Sequence, residues 1–117
     1  MGYFIAMKPF LPEPDDTGDS PWTVKFTGKA RKQKGKLPED MAAALRTLQR
    51  ELEWEGPEQP EWHHYGKLKG KKDMHHCHLN KGKPRYVVVW QVTDRTVQVM
   101  EIRYVGTHEN ADYRRIN

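Results

Sequence analysis

At 117 residues, with 31% charged and 36% hydrophobic side chains, a mean hydropathy of −0.97 and a formal net charge of +4, the chain has room for one small domain around one modest core. No apolar stretch reaches membrane-spanning length, so no membrane association is expected, and a single cysteine, Cys77, excludes an intrachain disulfide. The opening "MGYFIAMKPFLPEP" is interrupted too soon by Lys8 and Pro9 for a secretory signal, which makes the cytoplasm the expected compartment.

Residues 1–21 are rich in proline and acid and read as a flexible extension, with Met7 as an alternative start; residues 22–117 read as the domain. "PWTVKFT" (21–27) alternates Trp22, Val24 and Phe26 against polar neighbours, the pattern of a half-buried strand. "TGKARKQKGK" then predicts a short basic helix, opened near Thr27 and ended by Gly35. The strongest helical signal follows in "LPEDMAAALRTLQRELEWEGP": Pro38 stands at the start, Glu39 and Asp40 favour the first turn, and Gly56-Pro57 is the stop. Met41, Leu45, Leu48 and Leu52 make one apolar stripe on it and are core candidates. "EWHHYG" (61–66) reads as a loop exposing His63 and His64.

Downstream the period changes to two. "KDMHHCHL" predicts a strand, "NKGKP" a turn, "YVVVWQV" (86–92) a central strand, and "TVQVMEIRYV" (96–105) a strand alternating Val97 and Val99 with, more loosely, Ile102 and Tyr104. "TDRT" is short enough to make the last two a hairpin. The expected architecture is α+β: an N-terminal strand and two helices packed on an antiparallel sheet of about four strands.

Charge is distributed in blocks. Lys25 to Lys36 carries six positive charges and no acid, Lys67 to Arg85 carries seven against Asp73 alone, and residues 39–61 hold seven acids against Arg46 and Arg50. Two basic blocks beside a histidine cluster form the footprint expected for a polyanion. The candidates for phosphate contact are Lys29, Arg31, Lys32, Lys69, Lys71, Lys72, Lys81, Lys83, Arg85 and Arg103.

"WTVKFTGKARKQKGKLPED...LRTLQRELEWEGP", then "LKGKKDMHHCHLNKGKPRYVVVWQVTD", then "EIRYVGTHENADY" resembles, in that order, the RelE/ParE superfamily of bacterial type II toxins, and within it the RelE and YafQ mRNA interferases. The resemblance covers residues 22–117. It implies a RelE-like fold, endoribonuclease activity on mRNA at the ribosome, a cognate antitoxin, and no cofactor. RelE places two lysines, one residue apart, on the strand entered by the Asp of "LKG..D"; His76 and His78 fall there. YafQ instead has a histidine two residues after that Asp, which selects His75. By the same resemblance His108 of "VGTH" would be the acid to the leaving group and Tyr113 the C-terminal tyrosine. His63 or His64 would supply a further YafQ histidine, and Arg85 is nearest to an arginine RelE uses.

The chemistry is sound on its own terms. Cleaving RNA through its 2′-OH needs a base for that hydroxyl, an acid for the departing 5′ oxygen, and positive charge around the phosphorane. Histidines in opposite protonation states can do the first two near neutral pH. On a strand His76 and His78 share one face while His75 and Cys77 share the other, so Cys77 is expected in the core. A metal site is the chief competing reading of "HHCH", but alternation sends Cys77 away from His76 and His78, and no Cys-x-x-Cys or helical His-x-x-x-His completes a shell. Two further functions would need no acid/base pair at all: a ParE-like gyrase inhibitor without hydrolytic residues, and a non-catalytic RNA-binding domain.

Overall fold

The computed structural model describes residues 20–116. The extension expected over residues 1–21, with its acidic stretch at 13–19 and Met7, lies outside them except for its last two residues. In chain order the elements are β1 (Thr23–Phe26), α1 (Gly28–Lys34), α2 (Glu39–Glu55), β2 (His63–Lys67), β3 (Met74–His78), β4 (Tyr86–Asp94) and β5 (Val99–Thr107).

Local chemistry accounts for both helices. The Thr27 hydroxyl accepts from Ala30 N at 3.1 Å and so caps α1, which ends at Gly35. Helix α2 begins after Pro38 with Glu39 and Asp40 in its first turn, where the helix dipole favours acid. It stops at Gly56, whose φ of 96° is open to glycine; a Cβ there would stand 3.1 Å from Trp22 Nε1. The apolar stripe of α2, Met41, Leu45, Leu48 and Leu52, is buried as its spacing predicts.

The strands form one sheet in the order β1-β5-β4-β3-β2. From β2 to β5 it is an antiparallel meander, while β1 lies parallel to β5, Thr23 opposite Val99. The α+β class stands, but the sheet is mixed and has five strands. The additional strand is β2, built from "HHYGK", a segment with no apolar alternation to announce it. Its backbone is recruited by the hydrogen-bonding edge of β3 rather than by a buried face of its own.

Two cores flank the sheet. On the helix side, the α2 stripe and Ala30 pack against Trp22, Cys77, Leu79, Val88, Trp90, Val92, Met100, Ile102 and Val105. On the other side a smaller cluster of Met74, Val87, Val89 and Tyr104 is covered by the C-terminal segment through Ala111, Tyr113 and Ile116. Strand β5 changes phase part-way along. The register steps from Trp90 opposite Ile102 to Val89 opposite Tyr104, so Arg103 is the extra residue of a β-bulge. Before the bulge Ile102 faces the helices; after it Tyr104 faces the opposite side and Val105 returns to the helix side. That switch is why alternation weakens along this strand, and Val97, assigned to the strand by sequence, lies exposed in the turn before it.

Candidate functional site

Strand β3 sorts its histidines by alternation. His75 and Cys77 point to the helix side, where both are fully buried. Burial, and after it the nearby Glu51 carboxylate, pushes the Cys77 thiol far above its ordinary range. His75 lies parallel to the Trp90 ring, with centroids 5.9 Å apart. Its Nε2 is 2.9 Å from Asp73 Oδ1 and its Nδ1 is 2.7 Å from the Tyr65 hydroxyl. The Asp73 carboxylate can only accept, so His75 donates from Nε2 and, when neutral, accepts the tyrosine proton at Nδ1. Asp73 is held down to about 2 chiefly by Arg95, which donates to it from Nε at 2.7 Å and Nη2 at 3.0 Å. Burial lowers the His75 pKa against the pull of that carboxylate. His75 is therefore a satisfied internal group, separated by the strand itself from the other histidines.

His76 and His78 face the open side. Strand β2 pairs with β3 there and slips register between His63 and Gly66, with His64 in the left-handed region at φ 55°. The irregularity brings His63 and His64 to the same cleft, and the His64 ring sits over His78 with centroids 4.3 Å apart. From the end of β5, His108 meets His78 edge-on at 5.6 Å, and from the C-terminal segment Tyr113 meets His76 edge-on at 6.2 Å. His64, His78 and His108, separated by as many as 44 positions in the chain, thus converge.

The cleft at this point is about 300 Å³ and, among the described residues, is lined by His63, His64, His78, Asn80, Lys81 and Arg85, none of which carries a carboxylate. Asn80 is occupied in shaping the β3–β4 turn: its Oδ1 accepts from Tyr86 N at 2.9 Å and its Nδ2 donates to Pro84 O at 3.1 Å. Lys81 and Arg85 are exposed and supply the positive charge. In this setting the His78 imidazole is pushed down to about 4, first by burial and then by the neighbouring His64, His108, His76 and Arg85. His76 shifts the same way for the same leading reason, and its buried Nδ1 has no hydrogen-bond partner among the described residues. Burial raises Tyr113, so it keeps its proton at neutral pH. Two neutral imidazoles, an exposed imidazole on His108, a protonated phenol and two cations can together accept a proton, donate one, and hold an anion.

The basic candidates do not all gather here. Strand β3 divides the second block: Lys81, Lys83 and Arg85 stand at its His78 end, and Lys69, Lys71 and Lys72 precede its Met74 end. Five residues of strand separate them, roughly 16 Å. Lys71 donates to Arg114 O at 3.3 Å, and Arg103 pairs with Glu101 at 2.9 Å, so neither is presented as a bare surface cation. Lys29, Arg31 and Lys32 are exposed on α1, whose Gln33 accepts from Val105 N at 3.0 Å near the end of β5. Among the described residues no group of three or more His, Cys, Asp or Glu side chains is arranged to hold a metal ion, and no helix is long and apolar enough to cross a membrane. Sequence reasoning missed Tyr65 and Arg95, because neither carries a local signal: their importance comes from reaching the His75–Asp73 pair from other strands and turns.

No family model matches the sequence, and no curated protein matches it significantly. Solved structures do match the fold. A mutant of the Escherichia coli toxin RelE in the free state superposes with a TM-score of 0.61 at 25% identity, over 78% of this chain and 87% of that one. RelE in the archaeal RelE–RelB complex from Pyrococcus horikoshii gives 0.60 at 22% identity, over 78% and 99%. YoeB from Staphylococcus aureus, solved as a dimer, gives 0.60 at 15% identity, over 76% and 99%.

Proposed function

From a chain with the RelE-family toxin fold, we propose a type II toxin that is an endoribonuclease of the RelE/YafQ kind, cleaving mRNA on the ribosome in the cytoplasm and held inactive by a cognate antitoxin. The observation that carries the reading is the convergence of His64, His78 and His108 with Arg85 and Lys81 on a cleft of a RelE-like sheet whose described lining residues include no carboxylate. The antitoxin partner rests on the RelE–RelB pairing of the structural neighbours.

In this mechanism His78, neutral at physiological pH, takes the proton of the ribose 2′-OH while the 2′ oxygen forms a bond to phosphorus. The bond from phosphorus to the 5′ oxygen breaks, and His108 gives that oxygen its proton. The products are a 2′,3′-cyclic phosphate and a 5′-hydroxyl. Arg85 and Lys81 offset the charge that builds on the phosphorane. His76 and the Tyr113 hydroxyl flank the same phosphate as hydrogen-bonding groups, and His64 orders the His78 ring by stacking. So small a site suits a substrate held in line by the ribosome, because the positioning is then supplied from outside.

The test is incubation of the purified protein with translating ribosomes, followed by mapping of mRNA ends and analysis of their termini. Cyclic-phosphate ends, lost in His78→Ala and His108→Ala, support the reading. Intact mRNA together with inhibited DNA supercoiling would replace it with a gyrase-directed toxin.

A further inference from the structure

We propose that Tyr104 is a positioning residue for His108, acting through the peptide that joins Thr107 to His108. The bulge at Arg103 turns Tyr104 onto the open face of the sheet, where it is 8% exposed and packs with Met74, Val87, Val89 and Ile116. Its hydroxyl runs past Gly106 and donates to the Thr107 carbonyl at 2.8 Å. The other polar group of that peptide, the His108 N–H, donates to Arg85 O at 2.7 Å. Both ends of one peptide plane are thereby fixed, one by a side chain of the open-face core and the other by the backbone that carries a cation of the cleft.

Gly106 is what lets the hydroxyl reach. A Cβ at that position would stand 2.7 Å from the Tyr104 oxygen and 3.0 Å from its Cζ, closer than a buried ring can tolerate without moving. Gly106 is therefore required by the passage of Tyr104, and the strand end, the tyrosine and His108 act as one device. The assignment rests on the proposed role of His108 as proton donor, but the geometry it invokes can be read without any cleavage assay.

The experiment compares wild type, Tyr104→Phe, Gly106→Ala and the double variant, with histidine imidazole resonances recorded by 1H–15N NMR and ribosome-dependent cleavage measured alongside. Tyr104→Phe keeps the buried ring and removes only the hydroxyl, so the fold is expected to persist. The His108 resonance should shift while that of His75, across the sheet, stays in place. The value of kcat should fall about tenfold, the scale of one neutral hydrogen bond, with KM within about twofold of wild type. Gly106→Ala should perturb the same resonance, and should do less when combined with Tyr104→Phe, where no hydroxyl remains to be displaced. An unmoved His108 signal in Tyr104→Phe, or fully additive effects of the two substitutions, would overturn the proposal. If wild-type protein leaves mRNA intact, the ribonuclease reading fails, and the His108 resonance still decides whether Tyr104 sets its position.

Discussion

Replacing Asp73 with Asn tests whether one carboxylate holds the frame on which β3 presents its histidines. Asp73 occupies the left-handed region at φ 50°, a conformation Asn tolerates as well as Asp, so the substitution removes charge without straining the backbone. What it removes is the anion that accepts from Arg95 and His75 and lies 3.8 Å from Lys67 Nζ. The Asp73 side chain is 18% exposed and its pKa is drawn from 3.8 to about 2, first by Arg95. At about 1.4 kcal/mol per pKa unit this corresponds to roughly 2.5 kcal/mol of folding stability. Because the folded pKa is depressed, that contribution is fully present above pH 4 and is lost as pH falls toward 2. Urea denaturation of Asp73→Asn at pH 7 should therefore show about 2 kcal/mol less stability than wild type, and a melting temperature lower by about 10 °C. The gap between the two proteins should be nearly full at pH 5, fall to about half by pH 3 and close only as the pH reaches about 2. A variant as stable as wild type at pH 7, or a gap that does not change with pH, would refute the reasoning.

Four further outcomes follow from the cleft and its surroundings. With His78 as base at a pKa of about 4, kcat/KM for cleavage should rise as pH climbs through that value and level off by pH 6; an acid limb near 6.5 would remove His78 from the role. His78→Ala and His108→Ala should each lower cleavage on the order of a hundredfold, measured with melting curves that remain close to wild type. His75→Phe keeps a ring against Trp90 but strands the Tyr65 hydroxyl and one side of Asp73, so it should cost about 2 kcal/mol of stability while the folded protein keeps its kcat; loss of cleavage with an unchanged melt would make His75 the base instead. Arg85→Ala should weaken RNA binding and lower the slope of log affinity against log salt by about 1, read from titrations at several ionic strengths.

The sequence by itself determined everything that depends on a local period or a local cap. The stripe of Met41, Leu45, Leu48 and Leu52 specified the buried face of α2, Thr27 its neighbour's start, and Gly56 the stop. Alternation along "MHHCH" assigned Cys77 to the core and set His76 and His78 apart from His75 before any fold was known, because a strand cannot present adjacent side chains on one face. Where the local pattern was silent, only the tertiary structure decided. Strand β2 has no apolar face and exists because β3 offers it an edge; its slip in register, invisible in "HHYGK", is what seats His64 over His78. The bulge at Arg103 reverses the phase of β5 and sends Tyr104 to the side that holds His108. Arg95 finds Asp73 across 22 residues of chain, and the basic block that is continuous in sequence is split by the length of β3. Periodicity records which face of an element is buried, but which edges meet, and in what register, is settled by pairings between distant segments that no local window contains.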